Sequence, residues 1–434
     1  MRNQIKQKII VFNGGSKLSQ KFELYSELID SYEPISDDFI SIPSDPKQNE
    51  CLILSTSGCF SRPKAVSFTH YSVVSALEIT SYPTIFGYTQ SEVVSAHTEL
   101  SHQMAVFQIF TAISTGSKFA LMPTFERKDF VNYVKKYRIS AALLTAQSII
   151  SLLKSAEDTP NFATQMKSLV KIISCGSVLT KTFSKQFIDV FKHIKDLRQG
   201  LFQTECMTPI TLMVKGTTDF ESIGVPTPNT TVIIKEWQSG DQLGANQIGE
   251  ICVRREDSLY KRYLNHNDST EALFDTNGWL HTRILGYYDE DRLLYIVGSI
   301  EEMIRSENTL ISPTELESFL LSHNSVSEAA VIGVSDQSLG QLAIGFVILK
   351  HNSKALETEI LDFVNSLVIC LVYNLTSILT ICFAFDLIFS VQLPKKKKLN
   401  GVYVMKYLPK TICGKISKRQ LKEEFCFKII KQKF

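Results

Sequence analysis

From Cys51 to about Lys235, short apolar runs alternate with stretches of helical periodicity: CLILS, SVVSALEI, SKFALMP, FVNYVKKY, AALLTA and KIIS. That rhythm predicts strand-helix-strand units and a largely parallel sheet. A second texture follows, in which TTVIIKE, GEICVRR and RLLYIVG are separated by turn-rich stretches such as QSGDQLGANQ and DTNGW. This predicts an antiparallel or barrel-like sub-domain. After about Gly298 the elements become smaller and mixed. Ser312, Pro313 and Glu315 have the spacing of a capping box with proline at the first helical position, so a helix through Leu316, Phe319 and Leu320 is expected. Strands at AAVIGV and AIGFVILK and a helix over ETEILDFVNSLV complete the module. The expected architecture is a large α/β N-terminal domain over 1–298, with parallel sheets and a barrel-like sub-domain, and a small α+β C-terminal domain over 299–434.

The chain has 434 residues, 44% of them hydrophobic, enough to bury one large core and a smaller one. Its 46 basic and 44 acidic residues leave a formal charge of +2, so the electrostatic footprint of a nucleic-acid binder is absent. The nine cysteines include no Cys-x-x-Cys pair and no cysteine-histidine pattern of zinc spacing, which fits a reducing, intracellular compartment. The N-terminal MRNQIKQKIIVFNGG does not read as a signal peptide, and the C-terminal KQKF is not the peroxisomal Ser-Lys-Leu signal. A cytoplasmic or peroxisomal protein is expected.

Several segments carry chemistry. Residues 55–66, STSGCFSRPKAV, stand after the strand CLIL and are expected just before a helix, where a Ser/Thr/Gly-rich loop cradles phosphates with backbone N–H groups. Residues 174–180 read SCGSVLT and 198–205 read RQGLFQTE. Between 243 and 323 four blocks follow in order: LGANQIGEICVR, YLNHNDSTEALFDTNGWLHT, GYYDEDRLLYIV and ISPTELESFLLSH. Residues 408–415 read LPKTICGK. In order and spacing, from about Lys6 to Lys422, these segments resemble the adenylate-forming (AMP-binding) family of acyl-CoA synthetases, 4-coumarate-CoA ligases and beetle luciferases, with part of the usual front sub-domain missing.

The resemblance implies activation of a fatty or aromatic carboxylic acid by ATP and Mg²⁺, followed by transfer to coenzyme A. By the same resemblance Thr56, Ser57, Gly58 and Lys64 belong to the phosphate loop, and Ser174, Gly176 and Gly200 border the nucleotide. Thr204 meets the α-phosphate, Glu205 binds magnesium, and Lys415 reaches the acyl carboxylate and α-phosphate. His97, in VVSAHTELSH, matches a histidine of the acyl pocket, with a structural histidine as the alternative.

The chain also departs from the family pattern. Cys59-Phe60-Ser61 replaces the Thr-Thr-Gly centre of the phosphate loop, and Leu201 and Phe202 replace an adenine-stacking aromatic and a glycine. Thr282-Arg283-Ile284 stands for Thr-Gly-Asp, the ribose clamp, while Ser299 stands for a nucleotide-binding arginine beside Gly298, itself either a hinge or a strand end. A lost charge-assisted hydrogen bond costs about 1.5–3 kcal/mol, so roughly three losses with partial additivity imply a rate penalty on the order of 10³–10⁴. Two readings compete: a weakened acyl-CoA ligase, or an inactive relative that binds an acyl ligand or partner, or the product of a decaying gene.

Residues 369–390, ICLVYNLTSILTICFAFDLIFS, interrupt the small domain. Deleting them rejoins FVNSLV to VQLPKKKKLNGVYV, restoring helix, basic loop and strand. A membrane span there would divide Lys415 from the rest of its own domain, so a translated intron or gene-model error is the expected origin.

Overall fold

The computed structural model describes residues 9–11, 22–24, 45–56, 64–96, 102–122, 127–217, 219–255, 262–264, 273–306, 309–336, 338–350, 353–372, 398–411 and 416–432. Contacts divide the chain into Met1–Asp45 and Pro46–Phe434. In the first unit, β1 (Ile9–Val11) pairs in parallel with β2 (Phe22–Leu24). Everything below belongs to the second unit.

That unit opens with a hairpin of β3 (Glu50–Ser55) and β4 (Ala65–Thr69), and only then does α1 (His70–Ser81) begin. Thr69 caps α1 by accepting from the backbone N–H of Ser72. The expectation that the 55–66 loop runs straight into a helix is therefore corrected. A strand intervenes, and the N-terminus of α1 stands at the far end of β4 from the loop.

Next come β5 (Val93–Ala96), α2 (Gln103–Thr115), β6 (Lys118–Leu121), α3 (Arg127–Tyr137), β7 (Ala141–Thr145), α4 (Ala146–Asp158), β8 (Lys171–Cys175), α5 (Lys181–Val190) and β9 (Asp196–Gln199). The strands form one all-parallel sheet in the order β6-β5-β7-β8-β9, as the alternating texture predicts. Every residue of central β7 is buried, which is why AALLT is apolar without a break. Leu144, Ile172 and Leu197 pack with helix residues such as Val134, Ile149 and Phe187 in one core, while Leu143 and Ile173 belong to a second core with Phe86 and Met104.

After β10 (Thr211–Leu212) and β11 (Val225–Pro226), β12 (Thr231–Lys235), β13 (Gly249–Arg254), β15 (Leu280–Tyr288) and β16 (Leu294–Ser299) make a four-stranded antiparallel sheet in that order. The short β14 (Arg262–Tyr263) joins β4 instead. The C-terminal region is smaller: β17 (Ile304–Ser306), β18 (Thr309–Ile311), α6 (Pro313–Ser322), β19 (Val326–Asp336), β20 (Gly340–Leu349), α7 (Glu357–Val372), β21 (Gly401–Val404) and α8 (Lys418–Gln432). Helices α6 and α7 bury Leu316, Leu320, Ile360 and Val364 against one face of its sheet. Leu421 of α8 packs with Phe346 in a separate core. The chain is thus a large α/β portion followed by a small α+β portion, and residues 298 and 299, between which a boundary is expected, are the last two of β16.

One local expectation changes, and Gly298 sits near a strand end, one of its two readings. Pro313 opens α6 as read, but the Ser312 hydroxyl makes no cap bond and donates instead to the Val297 carbonyl at 2.7 Å, tying the helix start to β16. Gly298 lies in strand register opposite Leu285, with a φ that is not positive. The expected insertion overlaps α7 at 369–372, and the rest of it lies outside the described residues. Among the described residues no helix is long and apolar enough to cross a membrane.

Candidate functional site

Parallel strands present their carboxyl ends on one edge of the sheet, and there the chain must turn sharply into helices and loops. Thr145 ends β7 and caps α4, Gly176 follows β8 at φ +82°, and Gly200 follows β9. A Cβ on Gly200 would come within 2.1 Å of the Thr211 carbonyl oxygen, so its lack of a side chain is required by strand packing as well as by its place at the site. These turns line a cavity of about 480 Å³. Its other walls come from the β3–β4 hairpin, β14, the lip of β15 and β16, and the start of the C-terminal region.

The RQGLFQTE segment divides its labour. Arg198 is buried and fully used: its Nε and a terminal nitrogen donate to Asp196 at 2.8 and 3.1 Å, and two further bonds reach the carbonyls of Thr84 and Ile85. Gln199 accepts from the Leu179 N–H and donates to the Phe220 carbonyl. Both side chains hold the sheet edge. Leu201 packs into the core beside Phe68 and Ile251 yet borders the cavity. Thr204 and Glu205 sit in a single 3₁₀ turn that closes with Met207 at φ +60°, a backbone strain of order 1–3 kcal/mol of the kind found at functional sites.

Glu205 is 6% exposed, and its carboxylate accepts from the Tyr263 phenol. Burial pushes its pKa above the ordinary carboxylate value, while the phenol and nearby Lys64 pull the other way. The Lys64 ammonium stands 4.9 Å from the centre of the Tyr263 ring. Register explains the grouping: β14 pairs with β4, placing Tyr263 opposite Val66, two residues beyond Lys64. The Lys64 N–H donates to Thr56 Oγ1 at 2.9 Å, and the Thr56 N–H donates to the Lys64 carbonyl at 2.9 Å.

The structure therefore gathers Thr56, Lys64, Gly176, Gly200, Thr204 and Glu205 around one cavity. Ser174 is buried within β8, behind that lining, with no partner for its hydroxyl. Ser57, Gly58, His97 and Lys415 lie outside the described residues. The histidine that does border the cavity is His102, whose Nδ1 caps α2 by accepting from Met104 N–H at 3.2 Å.

Tyr263 was not singled out from sequence, although it stands at the head of the YLNHND block. A second group was also missed. Lys418 Nζ lies 2.8 Å from both Glu302 and Glu317, with all three side chains less than a fifth exposed. Burial raises the pKa of Glu317, and the two carboxylates outweigh burial to raise that of Lys418. This triad borders the cavity from the C-terminal region. Its sequence signal was its position: Glu317 lies within the ISPTELESFLLSH block and Lys418 follows the LPKTICGK loop.

At the lip, Ile284 and Ser299, the positions that the family resemblance marks as departures, are direct cross-strand partners. Ile284 packs on the core that holds Leu201, and Arg283, standing where the family motif has glycine, adopts φ +62°. The Arg283 N–H donates to Glu250 at 2.8 Å, and its carbonyl accepts from the Ile300 N–H at 2.9 Å.

The family model for AMP-binding enzymes matches residues 6–264, and that for the AMP-binding enzyme C-terminal domain matches 315–415. The chain belongs to the AMP-binding, adenylate-forming family. Within it, a luciferin 4-monooxygenase of Photinus pyralis is 28% identical over 425 residues, covering 96% of this chain and 71% of that protein. A probable 4-coumarate–CoA ligase of Dictyostelium discoideum is 25% identical, covering 89% of this chain and 65% of that one. The chain thus spans about two thirds of the length of these relatives. Among solved structures, ATP-bound MatB from Rhodopseudomonas palustris shares the fold, with a TM-score of 0.75 at 19% identity over 90% of this chain and 71% of that one.

Proposed function

We propose that this member of the adenylate-forming family activates a compact carboxylic acid with ATP and passes it to coenzyme A, at a reduced rate. The observation that carries the reading is the Lys64–Tyr263–Glu205 chain facing one cavity together with Thr204 and the Gly176 and Gly200 turns. In the proposed reaction an acid oxygen bonds to the α-phosphorus as the bond to pyrophosphate breaks. Lys64 and Lys415 supply positive charge to the phosphates and the Thr204 hydroxyl donates to an α-phosphate oxygen.

Glu205 suits a magnesium ion carried in with ATP, because such an ion takes one or two carboxylates and completes its shell from phosphate and water. Its desolvated carboxylate gains from a nearby cation. When bound, the ion neutralises charge on the phosphates. Phe202 supports a compact acid over a long chain: it packs with Phe86 and Met104, and behind it remains a void of only about 10 Å³.

A second reading, an inactive acyl-binding relative, is favoured by the neutral Ile284–Ser299 pair at the lip. ATP–pyrophosphate exchange over a panel of short, aromatic and fatty acids tests both. Exchange with at least one acid that disappears in Glu205→Gln supports the enzyme. No exchange with any acid, alongside measurable binding of one, supports the second reading. We further propose an intracellular setting, a domain division at 298/299, and an origin of 369–390 outside the enzyme fold. Sequencing the transcript across codons 365 to 395 tests the last.

A further inference from the structure

On the antiparallel sheet, away from the cavity lining, three side chains of different chemistry converge. Cys252 on β13 faces His281 on β15 in direct register. Glu250, two residues before Cys252 on β13, shares its face by strand alternation, and the pairing with β15 slips between them. Glu250 Oε2 lies 2.8 Å from His281 Nδ1 and Cys252 Sγ lies 3.7 Å from it, with all three ligand atoms within 4.8 Å of one another. Glu250 and Cys252 are buried, while the His281 side chain is 24% exposed, which leaves a route in from solvent.

We propose that Glu250, Cys252 and His281 form a binding site for one zinc-type divalent cation. Thiolate, imidazole and carboxylate are the zinc donor set, and three protein ligands leave a fourth, tetrahedral position for water. With metal–ligand distances of about 2.0–2.3 Å, tetrahedral donors stand roughly 3.3–3.8 Å apart, so the Cys252–His281 spacing of 3.7 Å already fits and the 2.8 Å Glu250–His281 contact opens slightly.

A supporting shell is already built. The Nε2 of His281 faces Asp275 Oδ2 at 3.9 Å, longer than a hydrogen bond but near enough for the carboxylate to orient the ring once a metal binds at Nδ1. Asp275 is itself fixed by the N–H groups of Asn277 and Trp279 and by Lys235. The other oxygen of Glu250 accepts the Arg283 N–H, which connects the site to the cavity lip. Binding exchanges the Cys252 S–H bond for an S–metal bond, and the proton passes to the buffer. The cysteine and histidine lie on different strands, so no short sequence spacing announces them.

Metal-free full-length protein titrated with Co²⁺ is expected to take up one equivalent and show a thiolate-to-cobalt charge-transfer band. Cys252→Ser should abolish the band, and Asp275→Asn should weaken Zn²⁺ binding about 10–100-fold, measured by competition with a chromophoric chelator. Absence of the band in the unsubstituted protein overturns the proposal, as does a band that survives Cys252→Ser, which would place the metal on another cysteine. If Cys252→Ser fails to fold, Asp275→Asn still decides, since unchanged Zn²⁺ affinity refutes the site.

Discussion

The two polar walls of the cavity differ in how their charges are satisfied. On the Glu205 wall a buried carboxylate has one phenol donor and a lysine set against the phenol ring. On the C-terminal wall Lys418 is held between Glu302 and Glu317, so its charge is spent within the protein. In the proposed reaction the first wall holds charge that an incoming cation and phosphate complete. The second uses charge to join the turn after β16, α6 and α8, and the lip beside it, at Ile284 and Ser299, offers a nucleotide no charge. Retention of a motif residue and availability of its charge are therefore separate questions, answered by counting partners.

The largest expected effect tests the wall whose charges are already paired. Lys418→Met leaves two carboxylates facing each other with no cation, and breaking a buried ion pair on one side costs about 3–5 kcal/mol. With side chains 16–18% exposed, the low end, about 3 kcal/mol, is expected in urea unfolding. A loss below about 1 kcal/mol, the scale of exposed pairs, would show that this wall is not built on the triad.

Glu205→Gln tests the opposite wall. The amide oxygen still accepts from Tyr263, so the fold should persist, while MgATP binding weakens by about 1.5–3 kcal/mol for the lost charge. The pH dependence sharpens this. Burial raises the folded-state pKa of Glu205 above its unfolded value, so its contribution to stability is full below the unfolded pKa and is lost as pH rises through the folded one. The difference in stability between the two proteins should accordingly shift in favour of Glu205→Gln as pH rises from about 4 to neutrality. Glu317 acts in the same direction in both proteins and cancels. A difference that is flat with pH would remove burial as the cause.

Restoring the lip is expected to matter less, because its two positions interact. Ile284→Asp alone places a carboxylate against the core that holds Leu201, and Ser299→Arg alone places a guanidinium opposite the apolar Ile284. As direct cross-strand partners, the two together form a pair that faces the nucleotide. Titration calorimetry with MgATP should show about a tenfold gain in the double variant, about 1.4 kcal/mol, exceeding the sum of the singles. Strictly additive effects, or no gain, would mean that these positions are not a vacated clamp.

How much of this was legible in the sequence depended on the range of the interaction. The parallel sheet, the antiparallel sheet and most C-terminal elements follow from local periodicity, and AALLT shows why: a strand covered on both faces must be apolar throughout. Thr204 and Glu205 were found because they sit in one short motif. Tyr263, Lys418 and the Cys252–His281 contact were not, because each acquires its meaning from a residue far away in the chain. The hairpin at 55–66 was read as strand to helix because β4 is only five residues long and merges directly into α1. The capping box failed for a tertiary reason, since the Ser312 hydroxyl is directed at β16, donating to the Val297 carbonyl, and accepts no N–H from its own helix.

The smallest expected effect isolates the backbone of the lip from its chemistry. Arg283 occupies a motif glycine position and retains the backbone that glycine would favour, φ +62°. A non-glycine residue in that region costs roughly 1–2 kcal/mol, whereas glycine loses about 0.5–1 kcal/mol through its freer unfolded chain. Arg283→Gly should thus stabilise the protein by about 0.5–1 kcal/mol. The side chain contributes little against this, because its contact with Glu301 is 4.0 Å long and both partners are more than two fifths exposed. The N–H bond to Glu250 and the carbonyl bond from Ile300 belong to the backbone and survive the change. Chemical denaturation at two salt concentrations separates the contributions: the gain should be the same at both, since strain is not screened. A loss of stability, or a change that vanishes at high salt, would mean that Arg283 is held by its charge and that the lip has been rebuilt around the arginine.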